Sequence, residues 1–387
     1  MSRPADAAPN DRQAVALWLL ACSTLLALLI TVGGITRLTH SGLSIPEWRP
    51  VTGLLPPVGE RAWEEAFATY RETPEYRNVN HGMSLTEYRR IYYWEYVHRQ
   101  LARLLGLAFV LPFALFAWRR RLPPGLLRPL AAILAVGLLQ GAVGWWMVAS
   151  GLVEEPRVSH LRLAAHLGLA LLLFVALLST ALDLLRTAPD PDARRRVWLG
   201  RGLLALVFIQ ALAGALMAGT HAGYLYPTFP RMAGELVPAR LFAARPWPRG
   251  LLDDVVTIHF VHRWTGIAIA FVALGLLVAS RLRPANYSAR RAAAIFAVIA
   301  AATAGLGITT LLTGVAIVPA VAHQLLAVLL LAAATGVAHV DSNSGASGRE
   351  CRREARRRTP PPHRRTVFAG GPHRPAELGS KWDKRGG

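Results

Sequence analysis

Val97-His98-Arg99-Gln100-Leu101-Ala102-Arg103-Leu104-Leu105-Gly106-Leu107-Ala108-Phe109-Val110-Leu111-Pro112-Phe113-Ala114-Leu115-Phe116-Ala117-Trp118 is a long apolar run with a histidine just inside one end. A helix needs about 20 apolar residues to cross a bilayer, and this run is long enough. Seven further stretches qualify: Val15–Ile35, Leu127–Val148, Leu163–Leu185, Leu199–Ala218, Ile258–Ala279, Ala292–Leu312 and Ala316–His339. Three of them also carry a histidine near one end, so His98, His166, His262 and His323 sit on alternate spans at matching depth. An ionisable side chain inside a transmembrane segment is expensive and marks a functional site by default.

The chain of 387 residues is 53% hydrophobic, with a mean hydropathy of +0.33. This predicts an all-α integral membrane protein with eight transmembrane helices. The first span is too long for a removable signal peptide and lacks a small-residue cleavage site, so it reads as an anchored helix. Arginines cluster after spans two (Arg119, Arg120, Arg121), four (Arg186, Arg194, Arg195, Arg196) and six (Arg281, Arg283, Arg290, Arg291). The positive-inside rule then places these loops and both termini in the cytoplasm, and the histidines near the outer side. The net charge of +20 is therefore mostly a topology signal. No soluble domain is long enough to present a basic surface to nucleic acid. Cys22 lies in a span and Cys351 in the tail, so no disulfide of the outer loops is expected, nor a thiolate metal site.

A repeat organises the chain. Thr39-His40-Ser41-Gly42 recurs as Thr220-His221-Ala222-Gly223, and Val97-His98-Arg99 as Val261-His262-Arg263. His166 and His323 match late in each half. Shared leucine and alanine arise by chance between apolar segments; ordered Thr-His-x-Gly and Val-His-Arg matches do not. The expected organisation is a cytoplasmic segment 1–14, a four-helix bundle 15–186 with a large outer loop 37–90, a second bundle 197–340, and a disordered basic cytoplasmic tail 341–387. With four spans each, the bundles should be parallel repeats about an axis along the membrane normal. The loop 37–90 mixes Trp48, Trp63, Tyr70 and Tyr76 with carboxylates, a composition that suits amphipathic segments lying over the bundle.

Two histidines per bundle, on separate helices, suit axial ligation of haem iron. Zinc wants four ligands, or three plus water, and two per bundle is too few. The bland alternative is hydrogen bonding between helices. The halves differ at one place. Glu95 lies three residues before His98, on the same helical face, and the second half carries His259 there. A carboxylate at a haem rim can act as a base or stabilise a developing cation, so the first half is equipped for chemistry and the second for electron transfer or structure. Arg37, Arg99 and Arg263 are candidates for pairing with haem propionates, with interfacial anchoring as the alternative. Trp145 and Trp146 read as an aromatic belt.

The chain resembles the haem A synthase family over about residues 15–340. The matches are Gly33-Gly34-Ile35-Thr36-Arg37-Leu38-Thr39, Ser41-Gly42-Leu43-Ser44-Ile45, Glu47-Trp48, Pro50-Val51-Thr52-Gly53, Pro74-Glu75-Tyr76, Glu95-Tyr96-Val97-His98-Arg99, Ala218-Gly219, Ala222-Gly223-Tyr224, Thr228-Phe229-Pro230, His262-Arg263-Trp264 and His323-Gln324. It looks like the alphaproteobacterial and mitochondrial branch, since the outer-loop cysteine pairs of the Bacillus-like branch are missing. It departs from the pattern at His221 and Pro227.

The resemblance implies oxidation of a ring methyl of haem O to a formyl group by successive hydroxylations, giving haem A for terminal oxidase assembly. It implies substrate haem on His98 and His166 with Glu95 assisting, and haem b iron on His262 and His323. It also implies a haem O synthase partner and an external electron acceptor, and is compatible with a homo-oligomer in the lipid bilayer. The competing reading is a di-haem cytochrome b carrying electrons to or from quinone. Glu95, present in one half alone, separates the two, because a pure electron carrier has no need of an acid at one haem.

Overall fold

A computed structural model describes residues 9–49, 52–153, 155–186, 194–243, 247–282 and 287–341. The tail beyond residue 341 and the first eight residues lie outside the described residues, as do Pro50, Val51 and Arg283.

Eight helices are long and apolar enough to cross a membrane. They are α1 (Pro9–Leu38), α4 (Leu85–Trp118), α5 (Leu127–Ala149), α6 (His160–Leu185), α7 (Arg194–Gly219), α9 (Val255–Leu282), α10 (Tyr287–Leu312) and α11 (Ile317–Asp341). Short helices α2 (Glu60–Arg71), α3 (Pro74–Asn78) and α8 (Trp247–Asp253) lie in the two long connections. The described residues form helices and no strand, because in lipid a helix satisfies every backbone polar group within its own segment.

The helices pack as two sets of four. In the first, α1 packs on α4 and α6, and α5 closes onto α6 and α4. In the second, α7 takes the place of α1, α9 of α4, α10 of α5 and α11 of α6. The sets meet where α6 packs on α7, α1 on α11, and α6 on α11. Exchanging the two sets maps these contacts onto themselves, as a two-fold pseudo-axis beside α6 and α11 requires. A continuous apolar core runs through both sets, from Leu19 and Leu26 of α1 to Phe296 of α10 and Leu331 of α11.

The turns after α1 and α7 repeat in detail. His40 (φ 51°) and His221 (φ 57°) both take the left-handed conformation that ends a helix. Arg37 then donates to the carbonyl of Ala218, its own counterpart in the other half.

The connection read as a loop over 37–90 is partly helical. The last turn of α1 reaches Leu38, and α4 begins at Leu85, a dozen residues outside the apolar run. Ser84 and Glu87 start α4 with a capping box, satisfying two orphan N–H groups reciprocally. Helix α2 turns Trp63, Phe67 and Tyr70, at i, i+4 and i+7, towards this extension of α4. Tyr88 stacks on Phe67 at 5.0 Å and on Tyr70 at 5.1 Å, and Trp63 meets Tyr92 edge-on at 5.0 Å. The apolar face of α2 thus closes on protein and builds a second small core over the first bundle.

Candidate functional site: two pairs of imidazoles

The histidines sit on helices diagonal to one another in each set, α4 and α6 in the first, α9 and α11 in the second. Each ring lies against a glycine of a neighbouring helix. A Cβ built on Gly33 would lie 3.0 Å from Cε1 of His98, and one on Gly144 2.8 Å from Cε1 of His166. Gly214 stands 3.0 Å from His262 in the same sense, and Gly307 2.9 Å from His323. The small residue lets backbone and ring approach, as at close helix contacts in membranes. Four glycines doing this for four histidines form a cradle repeated in both halves.

Ring orientation is fixed at Nδ1 in three of the four. His166 Nδ1 lies 3.1 Å from the Gln140 amide, and His262 Nδ1 lies 3.1 Å from that of Gln210. His323 Nδ1 lies 2.9 Å from the carbonyl of Thr303. His98 Nδ1 is buried without a partner. No Nε2 atom of the four makes a hydrogen bond among the described residues. Orienting one ring nitrogen while the other stays free is what a metal-ligating histidine requires.

The geometry fits an iron macrocycle. The rings of His262 and His323 have centroids 6.3 Å apart and planes at 89°. Metal–imidazole nitrogen bonds are about 2 Å long, so two imidazoles on opposite sides of one metal atom have ring centres about 6 Å apart. His98 and His166 are near enough to interact electrostatically. Among the described residues no three metal-ligating side chains converge. A metal here takes two protein ligands and must bring the others, as haem does.

Glu95 is 4% exposed. Its Oε2 accepts from Ser44 Oγ at 2.8 Å and from the Ile45 N–H at 2.9 Å. Its Oε1 accepts from Arg99 Nη2 at 2.6 Å and Nε at 3.0 Å. The carboxylate is buried with its charge compensated, and it faces the segment that follows α1, one turn from His98. At the equivalent place His259 is fully buried, and its Nε2 lies 2.9 Å from Arg263 Nη2.

Arg99 and Arg263 act alike. Arg99 Nη2 donates to the carbonyl of Ile45 at 2.6 Å, and Arg263 Nη2 to that of Tyr226 at 3.3 Å. These acceptors stand at the same step after His40 and His221. Arg99 also holds the carbonyl of Glu47, and Arg263 that of Pro230. Each arginine therefore pins the cap of its own half beside the imidazole pair. Trp145 stacks on Trp48 of the cap at 5.6 Å, and the Arg162 guanidinium lies 4.5 Å over Trp146.

Sequence reading missed the cradle glycines, Gln140 and Gln210. A signal was present: Gly33 and Gly214 precede His40 and His221 by seven residues, and each Gln stands one turn before its glycine.

Fold and site together define a polytopic helical membrane protein built around two pseudo-symmetric pairs of buried imidazoles. The family model COX15-CtaA, cytochrome oxidase assembly protein, matches residues 16–335, and the chain belongs to this family. It is 46% identical over 328 residues to a heme A synthase of Bradyrhizobium diazoefficiens, covering 84% of this chain and 91% of the relative. It is 44% identical over 341 residues to one of Rhizorhabdus wittichii, covering 88% and 97%. A heme A synthase of Nitrosospira multiformis is 43% identical over 332 residues, covering 84% and 92%.

Proposed function

We propose that this chain performs the reaction for which these relatives are named, oxidising a ring methyl of haem O through successive hydroxylations to the formyl group of haem A. The observation that carries the reading is the asymmetry at one helical turn: a buried, compensated carboxylate beside the first imidazole pair, and a histidine in its place beside the second.

Substrate haem O is held between His98 and His166, its macrocycle edge towards Glu95. The carboxylate stabilises positive charge developing at the methyl carbon. It takes a proton from one hydroxyl of the gem-diol and returns it to the other, which leaves as water to give the aldehyde, with proton transfer at Oε1 or Oε2. Ser44, Ile45 and Arg99 hold it in place, and preorganised groups of this kind need not reorganise during the reaction. The aromatic cap over the first bundle excludes water. His262 and His323 hold haem b, which when bound supplies a one-electron carrier. Arg37, Arg99 and Arg263 place positive charge at the outer rims, where it favours the haem propionates. The two bundles, residues 15–186 and 197–340, divide these tasks. Both termini lie in the cytoplasm and the haem sites near the periplasmic face of the inner membrane, as the arginine loops indicate. Haem O synthase upstream, terminal oxidase assembly downstream and an external electron acceptor complete the setting.

The test is Glu95→Gln in a host that makes haem O, with pigments extracted from the purified protein and identified by mass. The expected result is haem b retained and haem A reduced about 100-fold or more. Normal haem A in the variant would remove Glu95 from the chemistry; haem b alone in the wild-type protein, with haem O available, would transfer the reading to an electron-carrying cytochrome b.

A further inference from the structure

One helical turn before the four cradle glycines stand Leu29, Gln140, Gln210 and Thr303. Three of these positions hold an imidazole at Nδ1, Gln140 and Gln210 with the side-chain amide and Thr303 with its carbonyl. Leu29 does not. Its carbonyl lies on the same side of the His98 ring, but Nδ1 makes no hydrogen bond to it and stays buried without a partner.

The difference is built from more than one residue. Around Gln210 the second half forms a niche. Thr265 Oγ1 donates to Gln210 Oε1, and Gln210 Nε2 donates to the carbonyl of His262 at 2.8 Å. Gly266 clears the space, since a Cβ there would stand 3.0 Å from Gln210 Nε2. In the register of Val97-His98-Arg99 and Val261-His262-Arg263, Thr265 corresponds to Leu101 and Gly266 to Ala102. The first half therefore lacks the amide, its brace and its clearance together, and Leu29 packs on the apolar core instead. The wall beside His98 is also looser. Helix α5 makes less contact with α4 than α10 makes with α9. Gly137 of α5 is exposed, whereas Ala300, at the same step before the cradle glycine of α10, is 3% exposed.

A partner at Nδ1 keeps Nε2 aimed at the metal and is worth about 10- to 100-fold in metal affinity. A ring without one is held by its metal bond alone and turns aside when that bond breaks. We propose that Leu29 is a positioning residue that makes His98 the releasable ligand of the first pair, so that this site exchanges its haem while the second retains it. The bond between iron and His98 Nε2 breaks first, its electron pair returns to the ring, and the iron keeps its oxidation state. A site that takes up substrate and gives up product needs one such ligand; a site for a resident carrier needs none. The inference rests on the reading of the two pairs as haem sites with substrate in the first.

The test loads the purified protein with haem b at both pairs and adds an excess of apomyoglobin, which captures released haem. Loss is followed by visible absorption without turnover. The wild type is expected to lose haem in two phases, and a variant with both His98 and His166 replaced by alanine is expected to show the slow phase only. Gln210→Leu should speed the slow phase about 10-fold or more and leave the fast one. Leu29→Gln combined with Leu101→Thr and Ala102→Gly transplants the niche, and should slow the fast phase by about as much and leave the slow one. Leu29→Met, apolar and similar in volume, should change neither. A general loss of structure would move both phases, so the selective change is the reading. Single-phase loss from the wild type would overturn the proposal, a result that needs no variant to fold. So would a slow phase unchanged by Gln210→Leu, or a fast phase not slowed in a transplanted variant that binds both haems. If haem A forms while both pairs lose haem alike, this inference fails and the proposed reaction stands. If the first pair loses haem faster but no haem A forms, the reaction fails and this inference stands.

Discussion

At the scale of single residues, the site depends on glycines as much as on histidines. Gly214→Ala places a methyl 3.0 Å from Cε1 of His262, and Gly307→Ala places one 2.9 Å from that of His323. Each ring is also held at Nδ1, so it cannot move aside without breaking that contact. Either substitution should therefore disturb the second imidazole pair, seen as a changed haem spectrum or loss of haem from the purified protein. Gly305→Ala, where a Cβ meets nothing within 4 Å, is the control. It should leave the spectrum unchanged and, as a helix-interior replacement, stabilise the helix by up to about 1 kcal/mol. Unchanged spectra in all three would show that the cradle does not position the rings. The histidines themselves were legible because a titratable group in an apolar run stands out against its neighbours. Glycine does not stand out in a transmembrane helix, where it is common, and only its three-dimensional neighbour gives it meaning.

At the scale of elements, the apolar period fixed the eight spans, and the repeat indicated which helices would be equivalent. The cap was less legible. Its aromatic residues read equally well as segments lying on lipid, because the i, i+4, i+7 face of α2 says that something covers it but not what. The partner is the outward extension of α4, whose Tyr88 and Tyr92 lie outside the apolar run. Glu75 makes this cap sensitive to pH. Burial pushes its carboxyl up to about 7 in the folded protein, above the ordinary 4.5. The group therefore costs nothing below the unfolded value, and stability is lost as pH rises through the folded one. Between about pH 5 and about pH 8 the wild-type cap should lose on the order of 2–3 kcal/mol. Thermal unfolding followed by near-ultraviolet circular dichroism of the cap rings should show this loss, and Glu75→Gln should abolish it. Equal wild-type stability at both pH values would mean that the carboxyl reaches water.

At the scale of the whole molecule, the two halves are joined close to both imidazole pairs. Gln324, next to His323, reaches from α11 into the first half and donates through Nε2 to the carbonyl of Ile30 at 2.7 Å. Its amide lies over Gly34, where a Cβ would stand 2.0 Å from Oε1, and Gly33 beside it carries the His98 ring. One turn of α1 thus touches a histidine of one pair and the neighbour of a histidine of the other. Gly34→Ala must expel the Gln324 amide, at a cost of about 1 kcal/mol for the lost hydrogen bond. Its effect should appear in the haem spectrum of the opposite half. Gln324→Ala removes the same bond without a clash, so the double variant should be no worse than Gln324→Ala alone. A double-mutant cycle on unfolding stability and on the spectrum reads this directly, since residues sharing one contact fail to add. If the two substitutions add in full, the halves are joined elsewhere, and the contact of α6 with α7 becomes the place where one bundle senses the other.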